Sequence, residues 1–324
     1  MKSLTKLILF ASILLAPLLT AQTNEETPDY SKRRQFLVEA RRIVFLGDSI
    51  TYQGEYVANF DTWLHAYYPK RKFDIIDLGL PSETVSGLSE KGHANGKFPR
   101  PDLHTRLDSV LEKSKPDLIF ACYGMNCGIQ QPFDEERFQK YKDGILKLKT
   151  KAEKSGAKII FITPPYYDSM VNPNKAYYTE VLAKYSAWLM SQTENDWNVI
   201  DLNTAMTKSI MEKRKDAPKY TVQKDAVHPN TEGHWFMTQP ILSWFGDLGA
   251  AQQASIQEVL SLHRLPASIA KLTLKRMKIK RDAWLTYTGH ERPGIPKGMP
   301  LEQAEQEAKK ITHQIQKLYK VAGQ

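Results

Sequence analysis

Five short apolar runs separated by amphipathic stretches constrain this chain more than any other feature. They occupy residues 43–46, 73–78, 118–122, 158–163 and 199–202. Each is partly β-branched or aromatic and gives way to Gly, Pro, Asp or Asn, as strands buried on both faces do. The spacers carry helical periodicity. Residues 55–68 set aromatic and apolar side chains at helical intervals, and Pro132-Phe133-Asp134 opens a long amphipathic segment that stops at Ser155-Gly156. Pro173-Asn174 starts another, through Val181, Leu182, Tyr185, Trp188 and Leu189, and Thr231-Glu232-Gly233 opens a last one through Trp235, Phe236 and Ile241. Strands alternating with helices imply right-handed crossovers and a parallel five-stranded sheet with helices on both faces, an α/β fold. No internal repeat is evident.

The N-terminus reads differently. Met1-Lys2-Ser3-Leu4-Thr5-Lys6 precedes an apolar stretch over 7–19 and then Thr20-Ala21-Gln22, the order of a secretory signal peptide. The stretch is short of the roughly 20 residues a membrane span needs. Export is therefore expected, to the periplasm or beyond, with residues 1–21 as signal, 22–40 as a leader and 41–248 as the main domain. No integral membrane segment is expected after signal removal. Cys122 and Cys127 are the only cysteines, so no disulfide framework holds the fold, and both are expected as free, partly buried thiols.

The formal charge is +9, but from Arg264 to Gln324 there are 13 Lys/Arg against 5 Asp/Glu, a net of +8 in the tail alone. The main domain is nearly neutral. Residues 249–324 read as a basic, mainly helical extension packed on or near the domain. A basic tail points to a solvated helical face or to contact with an anionic polysaccharide. Nucleic acid does not suit an exported protein. Within the tail, the turn-rich loop 288–296 has two readings, a plain connection or a flap that brings His290 or Arg292 near the mouth of a site.

Three segments carry chemistry. Phe45-Leu46-Gly47-Asp48-Ser49 puts a serine at the carboxyl end of the first run, where open α/β sheets keep reactive groups. Two readings compete there, a nucleophile and a helix cap. Asp225-Ala226-Val227-His228 lies in a loop before a helix. An Asp three residues before a His can hold the imidazole in one tautomer and free its other nitrogen as a base. Tyr123-Gly124-Met125-Asn126 follows the third run, and an Asn there can donate to a developing oxyanion or simply occupy a left-handed turn. No HxH or HExxH spacing accompanies His228, so neither a metal nor another cofactor is expected.

Together these blocks resemble the SGNH (GDSL) hydrolase superfamily over roughly residues 40–248. The resemblance implies a three-layer flavodoxin-like SGNH fold with Ser49 as nucleophile, His228 as base and Asp225 orienting it. The oxyanion donors would be the Ser49 amide, an amide from the second block, and Asn126. The chain departs from the family in that second block, Asp77-Leu78-Gly79-Leu80-Pro81-Ser82-Glu83-Thr84, where Gly79 and Thr84 fit but Ser82 stands in place of a glycine. A serine still offers its backbone N–H, though its side chain restricts the loop. Asp48, Gly79 and Gly124 are expected to support the site. Tyr123 and Tyr166 are expected to line it, as are Gln53 and Tyr167. His93 and His234 are expected as ordinary packing or surface histidines.

The resulting expectation is an exported serine esterase acting on acyl, most readily acetyl, esters of a carbohydrate through an acyl-enzyme. A lipid or other small-ester acylhydrolase is the near alternative. A non-catalytic glycan-binding protein that retained the fold belongs to a different class.

Overall fold

Residues 29–322 are described in this computed structural model; the expected signal segment lies outside them. The five runs form strands β1 (Arg42–Gly47), β2 (Asp74–Asp77), β3 (Leu118–Cys122), β4 (Lys158–Ile162) and β5 (Asn198–Ile200). They pair in parallel in the order β2-β1-β3-β4-β5, the strand order of flavodoxin-like sheets. Twelve helices are described: α1 (Tyr30–Glu39), α2 (Ser49–Gln53), α3 (Glu55–Tyr67), α4 (Leu103–Ser114), α5 (Glu135–Lys154), α6 (Tyr177–Ser191), α7 (Leu202–Asp216), α8 (Thr231–Trp244), α9 (Leu248–Ala251), α10 (Ile256–Leu262), α11 (Ser268–Thr288) and α12 (Leu301–Val321). Helix α3 packs with α8, and α4 with α5, so the sheet lies between two helical layers. Nearly every residue of β1 and β3 is buried, as strands covered on both faces require.

Three differences from the sequence reading have local causes. The fifth run ends at Ile200 because the Asp201 side chain accepts from Thr204 N at 3.1 Å and caps α7, taking Leu202 into the helix. The polar segment expected as a leader contains α1, which docks on the end of α8. Arg34 Nε donates to Phe245 O at 2.8 Å, and the Arg33 guanidinium lies 4.9 Å from the Trp244 ring centre. Cys122 and Cys127 are free and fully buried rather than partly so, and burial pushes the Cys127 thiol up to about 12.

The basic extension is threaded into the body. Helix α11 packs against α3 and against β2, an edge strand, and α12 packs on α11; covering an open strand edge removes a site of unwanted pairing. Helix α12 presents Ala304, Ala308, Ile311, Ile315 and Tyr319, one face of a 3.6-residue period. Three basic side chains of α11 point inward to carboxylates or backbone. Arg276 pairs with Asp61 at 2.6 Å, Lys280 bonds Asp74, and Arg281 pairs with Asp282 at 2.8 Å while donating to Tyr52 O at 2.5 Å. Among the described residues, no helix is long and apolar enough to cross a membrane.

Candidate active site

In this strand order the connection from β1 runs to β2 on one side, and the connection from its neighbour β3 runs to β4 on the other. Ligand sites of open α/β sheets form in the crevice that this reversal creates at the carboxyl ends. Ser49 follows β1, Ser82 follows β2 and Asn126 follows β3. At Ser49 the helix-cap reading passes to its neighbour. Asp48 is the cap, its Oδ1 accepting from Ile50 N at 3.0 Å, and Ser49 is the first residue of α2. The Ser49 hydroxyl is thereby left for a tertiary partner, and its N–H falls among those a helix start leaves free. Burial pushes the Asp48 carboxyl up to about 6 against the pull of the Ile50 N–H.

That partner is His228. Ser49 Oγ and His228 Nε2 are 2.7 Å apart, and His228 Nδ1 lies 2.6 Å from Asp225 Oδ2. Asp225 Oδ1 also accepts from the backbone N–H groups of Val227, at 3.0 Å, and of His228, at 2.7 Å. Partial burial raises the Asp225 carboxyl, but the His228 ring and these N–H groups outweigh it and hold the group below its usual value. An ionised Asp225 favours a proton on Nδ1, which leaves Nε2 to accept from the serine.

The loop carrying His228 is fastened from below. Gln223 Nε2 donates to Tyr166 O at 2.6 Å and to Val227 O at 3.0 Å. Asp168 N donates to Ala226 O at 3.0 Å, while the Asp168 carboxylate holds Arg214 and Thr221. Nothing in the sequence pattern marked Gln223, Asp168 or Arg214, because their contacts join segments remote in the chain.

The second block is built around close packing. A Cβ on Gly79 would sit 2.4 Å from Tyr52 N, so only glycine lets β2's exit pass beneath α2. Ser82 adopts φ +70°, the left-handed conformation that a glycine takes easily. Glu83, next along, is fully buried; its carboxylate binds Arg106 at 2.6 and 2.7 Å and accepts from Tyr123 Oη at 2.6 Å. Asn126 Nδ2 donates to Glu83 O at 3.2 Å, and its Oδ1 accepts from Arg100 Nη1 at 2.7 Å. Arg100 in turn holds Glu90 through two bonds of 2.6 and 2.7 Å. Arg100, Glu83 and Arg106 were missed by sequence reasoning, since Glu83 and Arg100 lie in an irregular loop with no periodicity to read and Arg106 sits on α4, a helix marked only by a half-buried stripe.

Several expected lining residues are elsewhere. Tyr123, Tyr166 and Tyr167 are buried: Tyr123 is drawn under the site by Glu83, Tyr166 lies with Arg214, and Tyr167 packs edge-on to Tyr178 at 5.4 Å. Gly124 lies against Pro164, which a Cβ would meet at 2.6 Å. Gln53 is exposed, and its Oε1 meets His234 Nε2 at 3.2 Å. His234 is buried and stacked on Tyr56, and burial, then His228, lowers it to about 3. His93 meets Glu90 at 3.3 Å. Among the described residues, no group of three His, Cys, Asp or Glu is placed to hold a metal ion.

A hydroxyl bonded to an imidazole, itself bonded to a carboxylate, can pass its proton to that imidazole as it attacks an electrophilic carbon. The model of the GDSL-like lipase/acylhydrolase family matches residues 45–236, more than half of the chain. The chain belongs to that family. It is a serine ester hydrolase.

Solved structures similar to this GDSL-like hydrolase include a catalytic mutant of an acetylxylan esterase from Geobacillus stearothermophilus. That likeness has 20% identity, covers 64% of this chain and 94% of that one, and has a TM-score of 0.49. An α/β hydrolase enzyme from the metagenome of Lake Arreo, Spain, is 19% identical, with 64% and 96% of the two chains covered and a TM-score of 0.46. A gut microbial diltiazem-metabolizing enzyme is 20% identical, with 64% and 47% covered and a TM-score of 0.48. No curated protein matches the sequence of this GDSL-like hydrolase.

Proposed function

We propose that this GDSL-like hydrolase is an exported esterase that removes acetyl groups from a carbohydrate, with Ser49 as nucleophile, His228 as general base and acid, and Asp225 as the residue that orients it. The observation that carries this reading is the continuous path from Ser49 Oγ through His228 to Asp225, with both links under 2.8 Å.

Ser49 Oγ attacks the ester carbonyl while His228 Nε2 takes its proton. The oxyanion that forms is met by the N–H groups of Ser49 and Ser82 and by the second hydrogen of Asn126 Nδ2. Collapse of this intermediate breaks the C–O bond to the sugar, whose oxygen takes the proton from His228. Water then attacks acetyl-Ser49, gives its proton to His228, and acetate leaves as the serine recovers it.

The preference for a polar substrate rests on the openness of the site. The His228 and Asp225 side chains are 36% and 57% exposed. Among the described residues, the large apolar side chains that are exposed do not come from the segments carrying Ser49, Ser82, Asn126 or His228. A long acyl chain would find little apolar surface there, whereas a short acyl group on a hydrated sugar fits. Export rests on the signal-like residues 1–21.

The test is acetate release from p-nitrophenyl acetate and from acetylated xylo-oligosaccharides, compared with p-nitrophenyl octanoate. Wild type is expected to favour both acetates, and Ser49→Ala to abolish turnover. Unchanged activity in Ser49→Ala would remove Ser49 as nucleophile, and preference for the octanoate would replace the sugar ester with a lipid one.

A further inference from the structure

The cations that the C-terminal extension turns toward the body follow a rule with one exception. Arg276, Lys280 and Arg281 each meet a carboxylate. Arg292, in the loop that follows α11, does not. Its Nη1 donates to the carbonyl of the next residue, Pro293, and its Nε is buried without an acceptor. Among the described residues, no carboxylate lies within ion-pairing distance of it. A half-buried guanidinium left unpaired costs free energy that an anionic partner would offset.

Its position says where that partner would come from. The guanidinium lies 5.0 Å from the centre of the Phe98 ring. Phe98 packs edge-on against His93 at 5.4 Å, and His93 meets Glu90, the carboxylate that holds Arg100 on Asn126. From the other side, burial raises the phenol of Tyr52, three residues after Ser49 on α2, while Arg281 and, more weakly, Arg292 draw it back, so Arg292 stands within electrostatic reach of that helix. The loop thus folds back beside the catalytic crevice, on the side of the oxyanion residues. The two loops that meet there, residues 78–102 and 289–300, carry Lys91, Lys97, Arg100, Arg292 and Lys297 against Glu83, Glu90, Asp102 and Glu291. Glu83 is held by Arg106, Glu90 by Arg100, and Asp102 caps α4, so none of these three pairs with Arg292. His290, two residues before Arg292, also leaves Nδ1 buried and unpartnered, and burial, then the Arg106 and Arg292 cations, lowers its pKa.

We infer that Arg292 is a specificity residue that binds an oxyanion carried by the sugar substrate, a uronate carboxylate or a sulfate, so that the enzyme prefers acetyl esters of acidic glycans. This inference rests on the reading of Ser49 as the nucleophile of an acetylesterase. It assigns the extension, which lies outside the matched family region, a part in choosing substrate. The Phe98 ring lies against the guanidinium, and a planar fork meets a carboxylate or sulfate through paired N–H groups.

The test compares kcat/KM of wild type, Arg292→Gln and Arg292→Lys on four probes: an acetylated oligogalacturonide, an acetylated sulfated oligosaccharide, an acetylated xylo-oligosaccharide and p-nitrophenyl acetate. Wild type is expected to prefer an anionic probe, and added salt to erode that preference. Arg292→Gln is expected to lose about tenfold on the anionic probe, the scale of one charge-assisted bond, and less than about twofold on the two neutral ones. Arg292→Lys keeps part of the preference. The anionic probe that shows the loss identifies carboxylate or sulfate as the source. Equal losses on neutral and anionic probes, or no loss on either, would overturn the inference. Ser49→Ala is run beside these variants on p-nitrophenyl acetate; residual activity there sinks the nucleophile assignment, a result distinct from any outcome at Arg292.

Discussion

Arg100 Nη1 donates to Asn126 Oδ1 at 2.7 Å, and that bond decides which way the Asn126 amide faces. With Oδ1 held by the guanidinium and one Nδ2 hydrogen on Glu83 O, the second hydrogen is left for the crevice. In the proposed mechanism Arg100 is therefore a positioning residue. Asn126→Ala is expected to lower kcat about 10²–10³-fold, the effect of removing one oxyanion donor. Arg100→Met is expected to lower kcat about tenfold with KM little changed, since an interaction made in the transition state is weakened. In the Asn126→Ala background the Arg100 change should add almost nothing. Steady-state kinetics on p-nitrophenyl acetate measure all three, and additive losses would place the action of Arg100 elsewhere.

Buried acids and buried histidines pull the pH dependence of stability in opposite directions. Burial raises Asp48 to about 6 and Asp77 to about 7, and Asp77 Oδ2 has no partner. A carboxyl raised in the folded state binds protons there that the unfolded chain has already released. Its contribution is full below about pH 4 and is lost as pH rises through 6 and 7. Burial lowers His65 to about 4 and His234 to about 3, so the unfolded chain takes up their protons first and stability rises with pH up to about 6.5. The terms offset each other in acid, and the Asp77 loss stands alone near neutrality. Asp77→Asn keeps an oxygen for Gly79 N, the 2.8 Å bond of the wild type. Its melting temperature relative to wild type should climb from about pH 4 and level off above about pH 7. A constant difference across that range would mean that Asp77 does not titrate in it.

The strands were legible because β-strands buried on both faces leave nearly unbroken apolar runs, and β1 to β4 match them to within about a residue at each end. Ser49, Asp225 and His228 were legible because strand-end and loop context narrows what such residues do. Helices α4 and α7 went unread, since only half-buried stripes mark them within polar segments. Arg100 was invisible for a different reason. Its partner is 26 positions away, and only the order β2-β1-β3 brings their loops together. The buried tyrosines misled because an aromatic near a strand end looks alike whether it faces a ligand or, as Tyr123 does, a buried carboxylate. The basic tail misled in part, since composition counts charges and cannot show that Arg276 and Lys280 turn inward.

Ser82 carries strain that glycine would release. At φ +70° a non-glycine residue costs about 1–2 kcal/mol, while glycine gives back roughly 0.5–1 kcal/mol through its looser unfolded chain. Ser82→Gly is expected to be slightly more stable, raising the melting temperature by about 1–3 °C. Its backbone N–H remains, so kcat on p-nitrophenyl acetate should stay within about twofold of wild type. A large drop in kcat would show that the Ser82 side chain, not its amide, serves the reaction.

Arg276 ties three helices to one buried charge. Its Nη2 meets Asp61 Oδ2 at 2.6 Å and His65 Nε2 at 2.8 Å on α3, and its Nη1 meets Thr312 Oγ1 at 2.9 Å on α12. Asp61 is nearly inaccessible, so removing the guanidinium leaves a carboxylate without its counter-charge. Arg276→Met is expected to lower unfolding free energy by about 3–5 kcal/mol in urea titration. Adding Asp61→Asn should recover much of that loss, because the stranded charge goes with its partner. The folded variant should keep its turnover number on p-nitrophenyl acetate, since Arg276 lies behind α3 and touches none of Ser49, Asn126 or His228. A loss below about 1 kcal/mol, typical of an exposed pair, would mean that the extension rests on the domain without helping to hold it together.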